Sequence, residues 1–224
     1  MVLISGGEFV IGSNDDPNNL PHIVALPDFY IDSKEVTNVA YLSCADVSGC
    51  TLPAPIDSAT HKGYVTAPDF NFFPVINVTW EQASFFCEQN GKRLPSEAEW
   101  EKAASWSSAG HTKHIWPWGN QFDSGQLNSD EAGHGDTVRV ATFRDDLNGT
   151  FDMAGNVAEW TLSLFKPYPY DPADGRENPK AAGDRVVRGG SWAQAQDGVT
   201  TYVRQATAPT TASNTVGFRC AATP

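Results

Sequence analysis

Few of the residues that usually carry out catalysis stand in a suggestive arrangement in this chain of 224 residues. The four cysteines include no Cys-x-x-Cys pair and no Cys/His spacing that is typical of zinc. The histidines form no His-x3-His-x-Glu run; they are His22, His61, His111, His114 and His134. His111 and His114 lie three apart in a turn-rich stretch, and we expect both to be exposed polar residues. These residues alone therefore indicate neither metal nor nucleophilic chemistry.

Two groups of reactive oxygens are better explained by local structure. Ser191 lies in a Gly-Gly-Ser-Trp sequence rather than in the G-x-S-x-G elbow of a nucleophile, so it is predicted to be a turn residue. Glu97, Glu99 and Glu101 could act as paired carboxylates, but they follow Ser96, which forms a capping box with Glu99. We therefore expect the three glutamates to stabilise the N-terminal end of a helix.

The helices that must position such side chains are predicted from their capping residues. Thr37 is expected to cap the first helix, and the T-x-x-Q and S-x-x-E boxes that begin at Thr79 and Ser96 start two more. Gly91 is expected to end the second of them. The predicted helices cover residues 38–44, 79–90 and 96–105.

The predicted strands are also short, and the 19 glycines and 15 prolines indicate many turns. The candidates are Val2–Gly7, Gly7–Ile11, Val24–Ile31, Val138–Thr142, Val186–Arg188 and Val216–Ala221. No linker divides the chain. The sequence therefore predicts a single α+β domain over residues 1–224, with few short helices, small antiparallel sheets and much irregular structure.

Composition excludes several classes of partner. The formal net charge of −12 disfavours nucleic acid, whereas the surplus carboxylates could hold a hard cation such as calcium. No apolar run approaches the roughly 20 residues of a membrane span, and no secretory leader precedes the first strand. The compartment stays open between the cytoplasm and a domain trimmed from an exported or surface protein.

The even number of cysteines fits two disulfides, and the alternative is four buried thiols in a reducing compartment. The sequence alone leaves three connectivities open.

Eight sequence blocks together resemble one known family. They are GGEFVIGS (6–13), FYIDSKEVTN (29–38), PVINVTWEQASFFC (74–87), GKRLPSEAEWEKAA (91–104), WPWGN (116–120), NGTFDMAGNVAEWT (148–161), VVRGGSW (186–192) and VGFRC (216–220). In this order they closely resemble the formylglycine-generating enzyme/sulfatase-modifying factor domain, over almost the whole chain. The resemblance implies a C-type-lectin-like fold. The family includes copper-dependent cysteine oxidases, parts of iron-dependent sulfoxide synthases and non-catalytic variable ligand-binding proteins, so it leaves the function open.

The resemblance also implies where the copper site of the oxidases should lie. Their two catalytic cysteines follow the RGGS block, and the corresponding stretch here, residues 193–200, contains no cysteine. Gln194 and Gly198 or Val199 take those positions, and none of them supplies the thiolate that Cu(I) needs. The chain begins at the lectin-like part, without the histidine-rich helical domain that holds iron in the sulfoxide synthases. We therefore expect neither copper nor iron.

Two scaffold features of the family are expected to remain. The resemblance implies a calcium site formed by the carboxylates of Asp152 and Glu159 and the carbonyls of Gly155 and Val157, and the alternative is a capped turn with a buried glutamate. A second site would use Asn128 with Asp130 or Asp136. The family also pairs the positions of Cys87 and Cys220, which leaves Cys44 and Cys50 for a local disulfide.

Residues 193–215, which we call the recognition segment, have three alternative explanations: a neutral loop of a decayed enzyme, an active site of unrecognised chemistry, or a binding surface. Retroelement-diversified relatives place their variable residues here. The expected framework is Trp192, Val199, Val203, Arg204, Pro209, Val216 and Phe218. The expected ligand-binding positions are Ala193, Gln194, Gln196, Asp197, Thr200, Thr201, Tyr202, Gln205, Ala206, Thr207, Thr210, Thr211, Ser213 and Asn214. Tyr202 is the expected anchor, since an aromatic side chain buries a large area at low entropic cost.

The sequence thus predicts a non-catalytic module that binds a protein or other macromolecule, in the manner of the variable protein of a diversity-generating retroelement. The alternative is an oxidoreductase-like enzyme of the same family that acts without the copper-binding cysteine pair.

Overall fold

The computed structural model describes residues 1–224 and contains three short α-helices and eleven short strands joined by long irregular connections. The helices are α1 (Asn38–Val47), α2 (Trp80–Gln89) and α3 (Glu97–Ser105). The strands are β1 (Val2–Ile4), β2 (Gly7–Ile11), β3 (His22–Leu26), β4 (Phe29–Ile31), β5 (Trp106–Ser107), β6 (Thr112–Lys113), β7 (Ala158–Leu164), β8 (Arg185–Arg188), β9 (Arg204–Thr207), β10 (Val216–Gly217) and β11 (Ala221–Ala222). No helix combines the length and the apolar composition that a bilayer crossing requires.

The three helices begin where their capping residues predict. The Thr37 hydroxyl accepts a hydrogen bond from the Ala40 amide, and both capping boxes form with reciprocal bonds. Helix α1 runs three residues beyond the predicted end at Cys44. Helices α2 and α3 agree with the prediction to within a residue at each end.

The strands form one four-stranded sheet, one three-stranded sheet and two pairs. The four-stranded sheet has the order β10–β7–β8–β9, and the three-stranded sheet has the order β1–β4–β11. The small sheets are antiparallel as predicted, except that β10 runs parallel to β7. Strand β9, which lies in the recognition segment, forms the edge of the larger sheet through its pairing with β8.

Three strand predictions need correction. The segment 24–31 is divided at Pro27 and Asp28, so that β3 pairs with β2 while β4 pairs with β1. Proline has no amide hydrogen to donate to a ladder, which favours a break at this point. The segment 216–221 is likewise divided into β10 and β11. Residues 138–142 form turns instead of a strand, and Ala141 has a φ of 57°.

The largest core cluster lies between α1, α2 and the four-stranded sheet, and it contains all four cysteines. They form the disulfides Cys44–Cys50 and Cys87–Cys220, which confirms the predicted pairing and excludes four free thiols. Cys87 and Cys220 are 133 residues apart in sequence, and a bridge over that span stabilises the fold by about 5 kcal/mol in the chain-entropy model. This bridge joins α2 to the chain just before β11.

Candidate functional site

The recognition segment starts directly after a tight approach between two stretches of backbone. Gly190 has a φ of 68°, and a side chain at this position would meet the Gly198 carbonyl oxygen at 2.2 Å. Only glycine fits such a position without strain. The segment then forms a short 3-10 turn at Gln196–Gly198, continues through β9 and returns to the interior at β10.

The predicted ligand-binding positions differ in exposure. Ala193, Gln196, Asp197, Gln205, Ala206 and Thr210 are exposed, and Gln194, Tyr202, Thr207, Thr211, Ser213 and Asn214 are half-buried. Thr200 and Thr201 are buried, at 2% and 0% exposure, and must be removed from the predicted binding surface. Thr201 is held inside because its hydroxyl donates to the His114 carbonyl at 2.8 Å and its amide donates to the Ile115 carbonyl.

The predicted framework residues attach the recognition segment to the protein interior. Val199 and Phe218 are fully buried, Val216 is nearly so, and the Arg204 side chain is only 2% exposed. The Trp192 indole donates to the Asn214 carbonyl at 3.3 Å and so ties the start of the segment to its end. The exposed side chains are therefore carried on a fixed base.

Arg188 holds that base to helix α3. Its guanidinium is fully buried, pairs with Glu97 and Glu101, and donates to the carbonyls of Thr201 at 2.8 Å and Tyr202 at 3.2 Å. Because those carbonyls belong to the recognition segment, Arg188 fixes the backbone on which Tyr202 is displayed. Both glutamates and both carbonyls gain a partner from Arg188, as burial requires, while the Nε of Arg188 has no hydrogen-bond partner.

Two further cations complete this arrangement, which we call the balanced cluster because each of its carboxylates is paired with cations: Glu97, Glu101, Lys113, Arg188 and Arg204. Arg204 contacts both oxygens of Glu97 and stacks on the Tyr168 ring at 4.1 Å. Lys113 pairs with Glu101. Burial alone would raise the pKa of Glu101, but the charges of Lys113 and Arg188 outweigh it and hold the pKa below its usual value.

The predicted role of the three glutamates of α3 is therefore only partly right. Glu99 caps the helix as expected, accepting from the Ser96 amide at 2.8 Å, and also pairs with Arg93. Glu97 and Glu101 instead bind the buried cations beneath the recognition segment. Sequence reasoning missed this because Arg188 and Arg204 are 87 to 107 residues away along the chain.

An open cleft of about 320 Å³ lies beside Tyr202. We call it the Tyr202 cleft; its polar lining includes Ser13, Asn14, Lys113, His114, Asn120 and Tyr202. Ser13 and Asn14 follow β2, and Lys113 belongs to β6, so the cleft joins the recognition segment to the N-terminal part of the chain. None of the lining residues outside the recognition segment was predicted as a binding residue from the sequence.

The first part of the recognition segment, at Gln194 and Gln196, is hydrogen-bonded to the loop that contains Asn128 and Asp130. The Asp130 amide donates to the Gln194 carbonyl at 3.0 Å, and the Gln196 amide donates to Glu131 at 2.7 Å. The Gln194 side chain accepts from the Ser191 amide at 2.9 Å. It therefore fixes the turn that the prediction assigned to Ser191.

The predicted calcium ligands Asp152 and Glu159 lie in a second buried group, which we call the acidic cluster: Glu35, Asp152, Glu159 and Arg219. Both Glu159 oxygens accept from Arg219, and one also accepts from the Trp100 indole at 2.8 Å. Asp152 accepts from the Ala141 amide at 2.6 Å. A calcium ion bound to Glu159 would compete with Arg219, so these side chains as arranged do not fit the ion.

The pKa values in the acidic cluster are shifted upwards. Burial raises the pKa of Asp152 to about 6. Burial, followed by the charges of Asp152 and Glu159, raises the pKa of Glu35 well above its usual value. Sequence reasoning missed Glu35, although it stands in the FYIDSKEVTN block.

The second predicted calcium position has a feature that does fit a cation. The Asn128 side-chain oxygen is buried without a hydrogen-bond partner, while its amide donates to the Asp136 carbonyl at 2.9 Å and to Asn156. Gly155 lies so close that a side chain there would meet the Asn128 carbonyl at 2.3 Å. Asp130 is exposed and is not brought to this place. No three His, Cys, Asp or Glu side chains in the chain group to hold a metal by themselves.

Comparisons with known proteins agree with this architecture. The family model for the sulfatase-modifying factor enzyme 1-like domain matches residues 1–224. The chain is 35% identical over 237 residues to the serine/threonine-protein kinase Pkn1 of Chlamydia trachomatis serovar L2, which covers 99% of this chain but 38% of that protein. It is 29% identical to the formylglycine-generating enzyme of Streptomyces coelicolor, over 98% of this chain and 88% of that enzyme.

A solved structure extends the likeness to three dimensions. Treponema denticola variable protein 1 superposes with a TM-score of 0.80 at 25% identity, over 100% of this chain and 95% of that one. The names of these similar proteins describe different activities, and the superposition shows the fold that this chain shares with the Treponema denticola protein.

Proposed function

The chain belongs to the sulfatase-modifying factor enzyme 1-like domain family, and from this premise we propose that it is a non-catalytic module that binds a protein or other macromolecule through the recognition segment. Family membership indicates the fold, whereas the function depends on the side chains at the site.

One observation carries this proposal: the cysteine pair of the copper-dependent oxidases has no counterpart. Gln194 and Gly198 or Val199 take those positions, and Gln194 is engaged in holding the Ser191 turn. All four cysteines are joined in disulfides, so the chain offers no thiolate to bind Cu(I).

The arrangement of the segment supports a binding role. Its exposed residues do not hold the fold, and the residues beneath them do. Separating the two allows the exposed side chains to differ without a cost in stability, which is what a recognition surface on a rigid scaffold requires. The half-buried Tyr202 beside the cleft supplies an aromatic anchor.

The likeness to Treponema denticola variable protein 1 supports a more specific version. We propose that this chain is the variable protein of a diversity-generating retroelement, with the recognition segment as its variable part. The test is genomic: a near-identical, adenine-biased copy of the coding segment for residues 193–215 should lie beside a reverse transcriptase gene. Absence of such a copy in the source genome would reject this version and leave the binding role untouched.

The binding role is tested with a surface variant. Partners that the purified full chain captures from a peptide display library should be lost with the Gln196→Arg/Gln205→Arg double variant. The same double change at two exposed positions outside the segment, Gln121→Arg/Gln89→Arg, is the matched control. Capture that depends equally on both pairs would contradict the proposal.

The enzyme alternative is favoured by one observation, the full-length likeness to the Streptomyces coelicolor formylglycine-generating enzyme. It predicts stoichiometric binding of copper or iron together with oxygen consumption in the presence of a thiol peptide. Binding of one copper or iron ion per chain together with this oxygen consumption would overturn the non-catalytic proposal.

We also propose that calcium binds as a structural ion at Asn128, where a buried oxygen lacks a partner. An ion that binds only the folded chain raises the melting temperature, so a chelator should lower it and added calcium should restore it. Asn128→Leu should remove the response, whereas Asp130→Asn at the neighbouring exposed position should keep it. A melting temperature that is unaffected by the chelator would reject the ion.

A further inference from the structure

The Tyr202 cleft holds only one cationic side chain among its lining residues, and that cation is already neutralised. The Lys113 ammonium pairs with the buried Glu101 and donates to the Gly12 carbonyl. The other polar lining groups are neutral amides, hydroxyls and an imidazole. The cleft therefore presents no free positive charge to a ligand.

Three carboxylates lie on the two chain segments that border the Tyr202 cleft: Asp15 and Asp16 directly follow the lining residue Asn14, and Asp197 is exposed in the recognition segment. Burial raises the pKa of the Tyr202 phenol, and the negative charges of Asp15, Asp197 and Asp16 raise it further. None of the three takes part in an ion pair within the chain. Their negative charge is available to a partner.

The loop that carries two of these carboxylates is fixed in place. The Ser13 amide donates to the Asn19 carbonyl at 2.8 Å, and the Asp15 amide donates to the Ser13 hydroxyl at 3.1 Å. Arg204 reaches the same loop, donating to the Asn19 side chain at 3.1 Å. The loop and the recognition segment are thus held together as one wall of the cleft.

We propose, on the basis of the binding role above, that the Tyr202 cleft receives the side chain of a lysine or arginine presented by a protein partner. A cation over an aromatic ring gains electrostatic stabilisation, and carboxylates at the rim add to it. The formal net charge of −12 would attract a basic partner from a distance and disfavour an acidic one. The occupant is therefore a basic protein segment.

The experiment uses peptides selected by display against the full-length chain. The selected peptides should share a lysine or arginine at one position, and the strongest is synthesised with arginine and with citrulline there, since citrulline keeps the shape and removes the charge. Fluorescence anisotropy should give about tenfold weaker binding for the citrulline peptide and for the Tyr202→Ala variant, and near-normal binding for Tyr202→Phe. The Asp15→Asn/Asp197→Asn variant should weaken binding several-fold.

Asp46→Asn, at an exposed acidic position on α1, is the charge-matched control and should leave binding unchanged. Equal affinity for the arginine and citrulline peptides overturns the inference. Peptides that require Gln196 and Gln205 but not Tyr202 also overturn it, while they leave the binding role standing. Peptides that bind independently of all three positions count against the binding role itself.

Discussion

Two buried groups of charges both contact Trp100 and differ in their ratio of carboxylates to cations. The ring of Trp100 lies 5.3 Å from the Arg188 guanidinium of the balanced cluster, and its indole nitrogen donates to Glu159 of the acidic cluster at 2.8 Å. In the balanced cluster two carboxylates face three cations. In the acidic cluster Glu35, Asp152 and Glu159 share the single Arg219.

The two clusters therefore differ in whether their charges depend on pH near neutrality. In the balanced cluster the pKa of Glu101 is lowered in spite of full burial, so its charges persist at neutral pH. In the acidic cluster burial raises the pKa values of Glu35 and Asp152, neighbouring carboxylates raise them further, and the charge of Arg219 does not offset this. Only the first arrangement suits a base that must hold a recognition segment in one shape.

Removing Arg188 should have the largest effect. Arg188→Met leaves Glu97 and Glu101 buried with one cation fewer, and truncating one partner of a buried pair costs about 3–5 kcal/mol of unfolding free energy. Denaturant unfolding of the variant measures this loss. Arg144→Met, at an exposed arginine, should change the unfolding free energy by less than about 0.5 kcal/mol.

A loss of under about 1 kcal/mol in Arg188→Met would contradict the view that this cluster carries the segment. Arg188→Lys provides an intermediate case, since it keeps the charge but lacks the planar group that reaches two glutamates and two carbonyls. If Arg188→Met fails to fold, the lysine variant is expected to fold and to be clearly destabilised.

The acidic cluster should make stability depend on pH in the opposite sense to ordinary carboxylates. Asp152 titrates near 6 in the folded chain against a usual value of 3.8, so the folded chain binds the proton more tightly. The resulting stability is fully present below about pH 4 and is lost as the pH rises through 6. From Asp152 alone, the unfolding free energy should fall by about 1 kcal/mol between pH 5 and pH 8.

The comparison that isolates this effect is Asp152→Asn, because asparagine tolerates the left-handed backbone at this position, where φ is 57°. Urea unfolding at the two pH values should show a shallower dependence in this variant than in the unmodified chain. Asp197→Asn, at an exposed carboxylate, should leave the dependence unchanged. An identical slope in all three proteins would show that Asp152 is ionised normally.

The two clusters also show which features of the structure could be predicted from the sequence and which could not. Local signals predicted the three helices, because Thr37, Thr79 and Ser96 form their caps with neighbours three residues away. The resemblance implied the long disulfide, which is present. Glu97 and Glu101 were assigned to helix stabilisation because nothing near them in sequence reveals a partner. Their partners Arg188 and Arg204 become neighbours only through the pairing of β8 with β9.

The recognition segment shows the same limit in its own residues. The buried Thr200 and Thr201 have the same side chain as the exposed Thr210, so residue type could not separate buried from exposed positions. Burial is decided by the approach of the Ile115 and His114 carbonyls, which lie more than 80 residues earlier in the chain. The glycines of the RGGSW block were recognisable, but the close approach that Gly190 permits was not.

The smallest changes in unfolding free energy are expected at the exposed positions of the recognition segment. They test which residues of the segment belong to the surface and which stabilise the fold. Gln205→Ala and Thr210→Ala, at exposed positions, should each change the unfolding free energy by less than about 0.5 kcal/mol. Thr201→Val keeps the shape but removes the hydroxyl that donates to the His114 carbonyl, and it should cost about 1–2 kcal/mol. Denaturant unfolding of the three variants under one condition gives the comparison. If Thr201→Val changed the unfolding free energy as little as the other two variants, the buried hydroxyl would not stabilise the fold, and Thr201 could not be counted among the framework residues.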